Sequence, residues 1–536
     1  MNCLFIVQIG EVDLISIFNR ALNAIPKRAD QQQVEELRRT FEDSGVTVAL
    51  ETIDNQVMYG RRGTGKTHAF RYLETQVLEL GDIPVYVDLR QIGSANGLFN
   101  GNEVKTTERA ARLLVDLLGN VRDHIFEIVV NDEDLVNNPS IVDNLDRLVD
   151  AISKVRIVGP VNVGVESSRT NSIVSNENLS LGASSNPALS YSSASQHEVG
   201  SSGRSTMARE GDEEVFLEFS PIVNALRSFA GNLGKRRLWI LLDEWSSVPS
   251  DLQPLLGEFI VRGLSPVSAI TVKIAAIEQQ SNFRDYCGDQ LVGIELGADF
   301  AANLNLDDYM VYEQHEERST SFFKGLFHKH LMSGRGGGLL SDRVLREEEM
   351  ISQLFSDRRA FEELVRASEG VPRDALNIAG KAALSAGGKK ISMKDVRSAA
   401  RSWYQADKEN ALQSDSDATR MLHRIVDDVI REKKSRGFLV NQRDSNNPVL
   451  LKLFDARVLH IVRRGYSAQD VPGERFDVWT IDYGAYVDLI RTQNEPRSFL
   501  PGGDEGDLEA EIDVPMQDLR AIRRAILDLD ALSKDK

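Results

Sequence analysis

The sequence predicts an α/β fold, with a parallel sheet first, an all-α unit after it and a winged-helix-like unit near the C-terminus. Three observations predict it. A glycine-rich segment, Gly60-Arg61-Arg62-Gly63-Thr64-Gly65-Lys66-Thr67, lies between a short apolar run and an amphipathic stretch. A continuous apolar run, Leu238-Trp239-Ile240-Leu241-Leu242, ends in Asp243-Glu244, as a strand buried on both faces does when it reaches the carboxyl edge of a parallel sheet. From residue 313 onward helical periodicity replaces the alternation of strands and helices, and short β-like runs return only after residue 437.

In chain order, residues 1–50 read as a helical lead-in. Leu14, Ile17, Phe18 and Leu22 share one face, and Val34, Leu37 and Phe41 another; the lead-in is expected to pack beside the glycine-rich segment. Gln56 to Tyr59 is the first strand and His68 to Leu80 the helix that follows. Between them the pattern G-x-x-x-x-G-K-[ST] is matched without a mismatch. Gly60, Gly63 and Gly65 let the backbone turn tightly enough for its N–H groups to face phosphate oxygens, and the helix starting near Lys66 adds its positive dipole end. Gly60, Arg61, Arg62, Gly63, Thr64, Gly65, Lys66, Thr67 and His68 are therefore the expected nucleotide contacts. Lys66 supplies a point charge to the β- and γ-phosphates, and the Thr67 hydroxyl takes one position on Mg²⁺.

Ile83 to Leu89 and Thr106 to Leu118 continue as strand and helix. Residues 164–211 shift to Ser, Asn, Gly and Ala and read as a flexible insertion in a nucleotide-binding core spanning 51–312. At the end of the Asp-Glu strand, Asp243 is placed to hold the Mg²⁺ through water and Glu244 to polarise the water that attacks the γ-phosphate. No Asn-Lys-x-Asp motif for guanine occurs, which favours ATP over GTP. A helix over Leu252 to Arg262 and a strand over Ile270 to Ile277 follow. That strand ends in Glu278-Gln279-Gln280-Ser281 beside the Asp243 strand, making Gln279 and Ser281 the candidates to sense the γ-phosphate. Arg284, just beyond, is the candidate finger into a neighbouring subunit's site.

The all-α lid spans 313–408, with helices over Ser319 to Leu331, Glu348 to Phe355, Arg359 to Ser368, Pro372 to Ala386 and Met393 to Tyr404. Gly370-Val371-Pro372-Arg373 marks one helix start, with Pro372 in the first turn. If that helix folds back over the sheet, Arg373 touches the γ-phosphate. In 415–495, a helix over Thr419 to Lys433, the strand Phe438-Leu439-Val440, a helix near Val449 to Arg457, an apolar stretch Val458 to Val462 and a strand over Arg475 to Ile481 suggest a winged helix. Lys433, Lys434, Arg436, Arg443, Arg463 and Arg464 make it locally basic, a surface for double-stranded DNA or for a docking protein. Residues 496–536 form an acidic tail and a terminal amphipathic helix over Met516 to Leu532.

The net charge of −18 excludes a whole-molecule electrostatic grip on nucleic acid, so any such contact is local. Cys3 and Cys287 are the only cysteines, which excludes a disulfide framework and a cysteine zinc site and fits a reducing cytoplasm. No segment reads as a membrane span.

Taken together, the phosphate loop, Leu241-Leu242-Asp243-Glu244, the Gly-x-Pro-Arg helix start and the winged-helix-like tail resemble AAA+ ATPases of the origin-recognition-complex type, over roughly Val34 to Thr492. Tyr59 to His68 with Asp243-Glu244-Trp245-Ser246-Ser247-Val248-Pro249 is also similar to the bacterial ATPases grouped with that type. The resemblance implies a P-loop NTPase sheet of AAA+ type, ATP binding, a lid carrying Arg373, and assembly into a homo-oligomeric ring or arc in which one subunit completes another's site. The serine-rich insertion departs from the common core, and no arginine finger is matched. Three functions are compatible with it: an ATPase switch acting on DNA or a protein partner, a DNA-binding module with a structural nucleotide, and a sensor ATPase of a bacterial defence or mobile-element system whose effector acts in trans.

Overall fold

The computed structural model describes residues 15–93, 106–153, 156–158, 214–216, 218–312, 314–333, 340, 345–427, 432, 435–467, 473–494 and 525–529. The expected insertion 164–211, Lys433, Lys434 and most of the acidic tail lie outside them. Strands β1 (Gln56–Tyr59), β2 (Ile83–Asp88), β3 (Arg156–Val158), β4 (Glu214–Phe216), β5 (Leu238–Asp243), β6 (Ile270–Ala276), β7 (Arg284–Cys287), β8 (Gln290–Gly293) and β9 (Ala301–Asn305) belong to the first part of the chain, and β10 (Gly437–Asn441), β11 (Leu459–Ser467) and β12 (Arg475–Ile481) to the last.

A five-stranded sheet with the order β2-β5-β6-β1-β9 forms the core, and every pairing in it is parallel. All residues of β5 and β6 are buried, which is why the β5 sequence is apolar without alternation. Successive side chains still point to opposite faces. Val57, Ile240, Leu242, Val272 and Ile274 pack against the helices Thr106–Asn131, Phe219–Asn232 and Gln253–Gly263. Met58, Trp239, Leu241 and Ala275 pack against Phe70, Leu73 and Val77 of the helix Lys66–Glu79 and against Phe41, Val46 and Leu50 ahead of β1. The helix expected over Thr106 to Leu118 runs on to Asn131 because apolar spacing continues through Val121, Ile125 and Val129, which are buried.

The lid helices are Glu316–Ser333, Glu347–Leu354, Arg358–Ala367, Pro372–Ser385 and Met393–Trp403. Their core takes in Phe18, Ala21 and Leu22 from a helix over 15–24, and Ile25 just after it, so the first part of the lead-in packs into the lid. Its second part, including Val34–Thr40, lies against the helix Lys66–Glu79, where Leu37 O sits 2.5 Å from His68 Nε2.

The C-terminal unit is a three-stranded antiparallel sheet, β10-β12-β11, with the helices Ser416–Ile425 and Pro448–Asp455 beside it. This is the winged-helix-like arrangement. It shares one continuous apolar core with the lid, through Phe438, Leu450, Trp479 and Tyr483. The terminal helix expected over Met516 to Leu532 is corrected where the chain is described: the Leu439 N–H donates to Ala525 O at 2.7 Å and Leu527 N–H to Leu439 O at 2.9 Å. Residues 525–527 are thus extended and cover the open edge of β10, whose backbone groups would otherwise lack partners. The fold is α/β, a five-stranded parallel sheet followed by an all-α unit and a C-terminal winged-helix-like unit.

Candidate nucleotide site

β1 ends at Tyr59 and β5 at Asp243, with β6 between them. In the register, Asp88 of β2 lies opposite Asp243, and Tyr59 opposite Ala276 of β6. The carboxyl ends of these strands therefore converge on the loop that follows β1, the edge where open α/β sheets bind ligands.

Within that loop Gly63 and Gly65 have φ of +93° and +100°, a conformation that costs an L-residue with a side chain about 1–2 kcal/mol. The helix starts at Lys66 directly after Gly65. Lys66 is 8% exposed, and its Nζ donates to Gly60 O at 2.7 Å and Arg61 O at 3.1 Å. Burial holds its pKa below the ordinary lysine value against the pull of Asp243 and Glu244. The Thr67 hydroxyl donates to Asp243 Oδ2 at 2.7 Å, across 176 residues of sequence.

Asp243 is fully buried. Its Oδ2 also accepts from the Tyr86 hydroxyl at 2.8 Å, and its Oδ1 from the Glu244 N–H at 2.8 Å. The Arg71 guanidinium covers the Tyr86 ring at 3.4 Å from its centroid. Glu244 sits in the left-handed region at φ 59°, turned out of the strand at the point where the backbone leaves the sheet. Burial, then the charge of Asp243, raise its pKa above the usual carboxylate value. A cleft of about 400 Å³ opens beside Thr67, with Leu37, Arg71, Tyr86, Asp88, Arg90 and His124 among its walls.

The lid reaches this site. The Arg373 N–H donates to Gly63 O at 3.2 Å, so the start of the helix Pro372–Ser385 rests on the phosphate loop. The Arg373 guanidinium has its pKa lowered by burial, then by the neighbouring charges of Arg457 and Arg28.

Other expected site residues fall elsewhere. The Arg61 side chain turns away from the loop's interior and into the C-terminal unit, Arg62 is exposed, and His68 binds Leu37 of the lead-in and meets the Phe41 ring edge-on. Burial lowers the His68 pKa to about 4, so it is neutral. Ser281 Oγ lies 3.0 Å from Ser246 Oγ, just past Glu244. Gln279 is half-buried next to it, while the neighbouring Gln280 donates to Asp455 Oδ2 at 3.0 Å. Arg284 is exposed on the β7-β8 hairpin. Of the basic set, Arg436 is 2% exposed and paired with Glu369, which corrects its expected place on a DNA-facing surface: its ring-side neighbour Tyr483 and the buried carboxylate take the guanidinium inward. Arg464 lies 3.7 Å from Glu278. Arg443 and Arg463 are exposed.

Sequence reasoning missed Tyr86, which sits mid-pattern in an ordinary apolar strand, and Asp307, which follows β9 and accepts from the Arg61 N–H at 2.8 Å. The Asp307-Asp308 pair after a strand was the one available signal for the latter.

No family model matches the sequence, and no curated protein does. Among solved structures, the crystal structure of Cdc6p from Pyrobaculum aerophilum is similar over 88% of this chain and 97% of its own, at 11% identity and a TM-score of 0.28. An overlap that loose carries no argument; the fold rests on the sheet and the site just described.

Proposed function

We propose that the protein is an ATP-binding and hydrolysing switch of the AAA+ type, which couples the nucleotide's γ-phosphate to the position of its lid and C-terminal unit. The observation that carries this reading is the 2.7 Å bond from Thr67 to Asp243, which joins the two acidic and glycine-rich motifs in one place. Lys66 exchanges its loop carbonyls for phosphate oxygens, and the backbone N–H groups between Gly63 and Thr67 surround them. Thr67 and Asp243 offer hydroxyl and carboxylate oxygens, the donors Mg²⁺ takes, and would hold an ion that would supply neutralising charge to the phosphates. Glu244, with its raised pKa, accepts the proton of the attacking water. We assign Ser281 and Gln279, in the turn that follows β6, to sensing the γ-phosphate, together with Arg373 from the lid. The nucleoside lies along the cleft beside Thr67, which is of ligand size. Because Arg373 gains a partner only when the γ-phosphate is present, ATP and ADP differ in how strongly they hold the lid closed.

The output acts on double-stranded DNA through the exposed Arg443 and Arg463, or on a protein effector. Arg284, on its exposed hairpin, is placed to meet another copy of the chain. No helix among the described residues is long and apolar enough to cross a membrane.

The test uses two variants. Lys66→Ala should abolish tight ATP binding, and Glu244→Gln should retain binding while turnover falls by at least about 100-fold. Hydrolysis at the wild-type rate by Glu244→Gln would defeat the mechanism.

A further inference from the structure

Arg61 occupies the second position of the phosphate loop, yet it is 4% exposed and its side chain is spent on other parts of the molecule. Its Nε–H donates to Asp307 Oδ1 at 2.7 Å. One terminal nitrogen donates to Phe454 O at 3.3 Å, Leu459 O at 3.2 Å and His460 Nδ1 at 3.2 Å. The guanidinium carbon sits 4.2 Å from the centroid of the Phe454 ring. Phe454 O lies in the last turn of the helix Pro448–Asp455, where the negative dipole end favours a cation, and it also accepts from the Arg457 N–H at 2.9 Å. At the same time the main chain of Arg61 shapes the cradle: its carbonyl accepts from Thr64 Oγ1 at 2.9 Å and from Lys66 Nζ at 3.1 Å. One residue therefore touches the phosphate-binding lysine with its backbone and the C-terminal unit with its side chain.

The far side of this contact leads back to the lid. His460 Nδ1 accepts from Arg61, so His460 is the neutral Nε2–H tautomer, and Nε2 faces Asp482 Oδ2 at 3.3 Å. Asp482 pairs with Lys408 at 2.5 Å, Lys408 with Asp374 at 2.9 Å, and Asp374 with Arg457 at 2.6 Å. Asp374 is the residue after Arg373. Both protein groups that approach the phosphates, the loop and the start of the lid helix, are thus anchored in the same buried polar cluster.

We propose that Arg61 is a positioning residue through which docking of the C-terminal unit sets the shape of the phosphate loop, so that ATP binding and this docking strengthen each other. The proposal rests on the nucleotide-binding reading above. A glycine-rich loop has many backbone conformations, and a guanidinium fixed at Asp307 and at two carbonyls of another unit selects among them. By linkage, whatever factor docking contributes to ATP affinity, ATP returns to docking.

Full-length protein carries the test. ATP affinity is measured with a fluorescent ATP analogue for wild type, Arg61→Lys and Phe454→Ala. Amide hydrogen exchange over residues 454–460 is followed with and without ATP. Lysine keeps the charge facing Asp307 and loses the fork that reaches the carbonyls, and Phe454 lies outside the loop altogether. The expected result is an affinity weakened about 10-fold in both variants, with ATP slowing exchange at 454–460 in wild type and not in Arg61→Lys. Affinities within about twofold of wild type in both variants would overturn the proposal. So would a wild type that binds ATP with no change in exchange at 454–460, a result that needs no variant to fold. If the wild type fails to bind ATP at all, and Lys66→Ala changes nothing, the nucleotide reading itself has failed, and that outcome differs from the other two.

Discussion

Alanine at Gly63 tests the join between the phosphate loop and the lid. A Cβ built at Gly63 would lie 2.7 Å from Arg373 Cβ, 3.0 Å from Arg373 Cδ and 3.3 Å from Val371 Cγ1. The first of these is the decisive one, because Arg373 Cβ is fixed by the helix backbone and cannot rotate away. Two costs add. The backbone at φ +93° strains an L-residue by about 1–2 kcal/mol, and overpacking a close contact costs roughly another 1–3 kcal/mol. Gly65 separates them, since it has φ +100° and nothing within 4 Å of its Cβ position: Gly65→Ala pays the strain alone. The difference should appear where the lid helix meets the loop, at the Arg373 N–H that donates to Gly63 O at 3.2 Å. Hydrogen exchange of peptides covering residues 371–377, in the absence of nucleotide, is the assay. At about 1.4 kcal/mol per factor of ten, exchange in Gly63→Ala should run roughly 5- to 100-fold faster than in Gly65→Ala. Equal rates in the two variants would mean that the lid helix does not rest on Gly63 in solution, and the path from γ-phosphate to lid would lose its first contact.

Tyr86→Phe removes the 2.8 Å hydrogen bond to Asp243 Oδ2 while keeping the aromatic ring in the wall of the cleft. Partners that orient a metal ligand are commonly worth 10-fold or more in metal affinity or activity, so the Mg²⁺ concentration for half-maximal hydrolysis should rise about 10-fold; a titration that superimposes on wild type would exclude Tyr86 from this role. Glu244 must be ionised to accept a proton, and burial raises its pKa, so its protonated fraction persists to higher pH than that of an exposed glutamate. Hydrolysis should therefore decline on acidification while binding is still intact, and a pH profile of kcat with no acid limb above the ordinary carboxylate range would contradict the assignment.

Much of the fold was legible because its signals are local. The unbroken apolar run of β5 needs only its own residues to declare a strand covered on both faces, and the Pro372 turn declares a helix start. The strand, glycine loop and helix around Lys66 were legible for the same reason, since they are contiguous. What was not legible depends on contacts between distant segments. Whether residues 525–527 are helical was decided by Leu439, an edge-strand residue far away in sequence with backbone groups to satisfy. Arg436 reads as basic surface until Glu369 is brought to it. Arg61 is an unspecified position of the loop pattern, and nothing in the pattern says that Phe454 and Leu459 will supply its acceptors. Tyr86 looks like any strand residue until register places its strand beside β5.

The packing divides the molecule unevenly, and the division indicates how it opens. The lid and the C-terminal unit share one apolar core, whereas the two faces of the parallel sheet have cores of their own. The lid and C-terminal unit are also tied by buried charge: Asp374, Lys408 and Asp482 are each at most 1% exposed, and removing one member of such a set costs about 3–5 kcal/mol. By contrast, the Arg464 and Glu278 side chains are 43% and 41% exposed at 3.7 Å, a pair worth at most about 1 kcal/mol. On the function proposed above, an opening motion should therefore carry the lid and C-terminal unit together, away from the sheet. One buried polar tie it has to break is Arg61, whose guanidinium lies between Asp307 at the end of the sheet and the carbonyls of Phe454 and Leu459. Arg61 is also bonded through its own carbonyl to Lys66 Nζ at 3.1 Å, so on the proposed coupling release of the C-terminal unit acts on the phosphate cradle without any longer path.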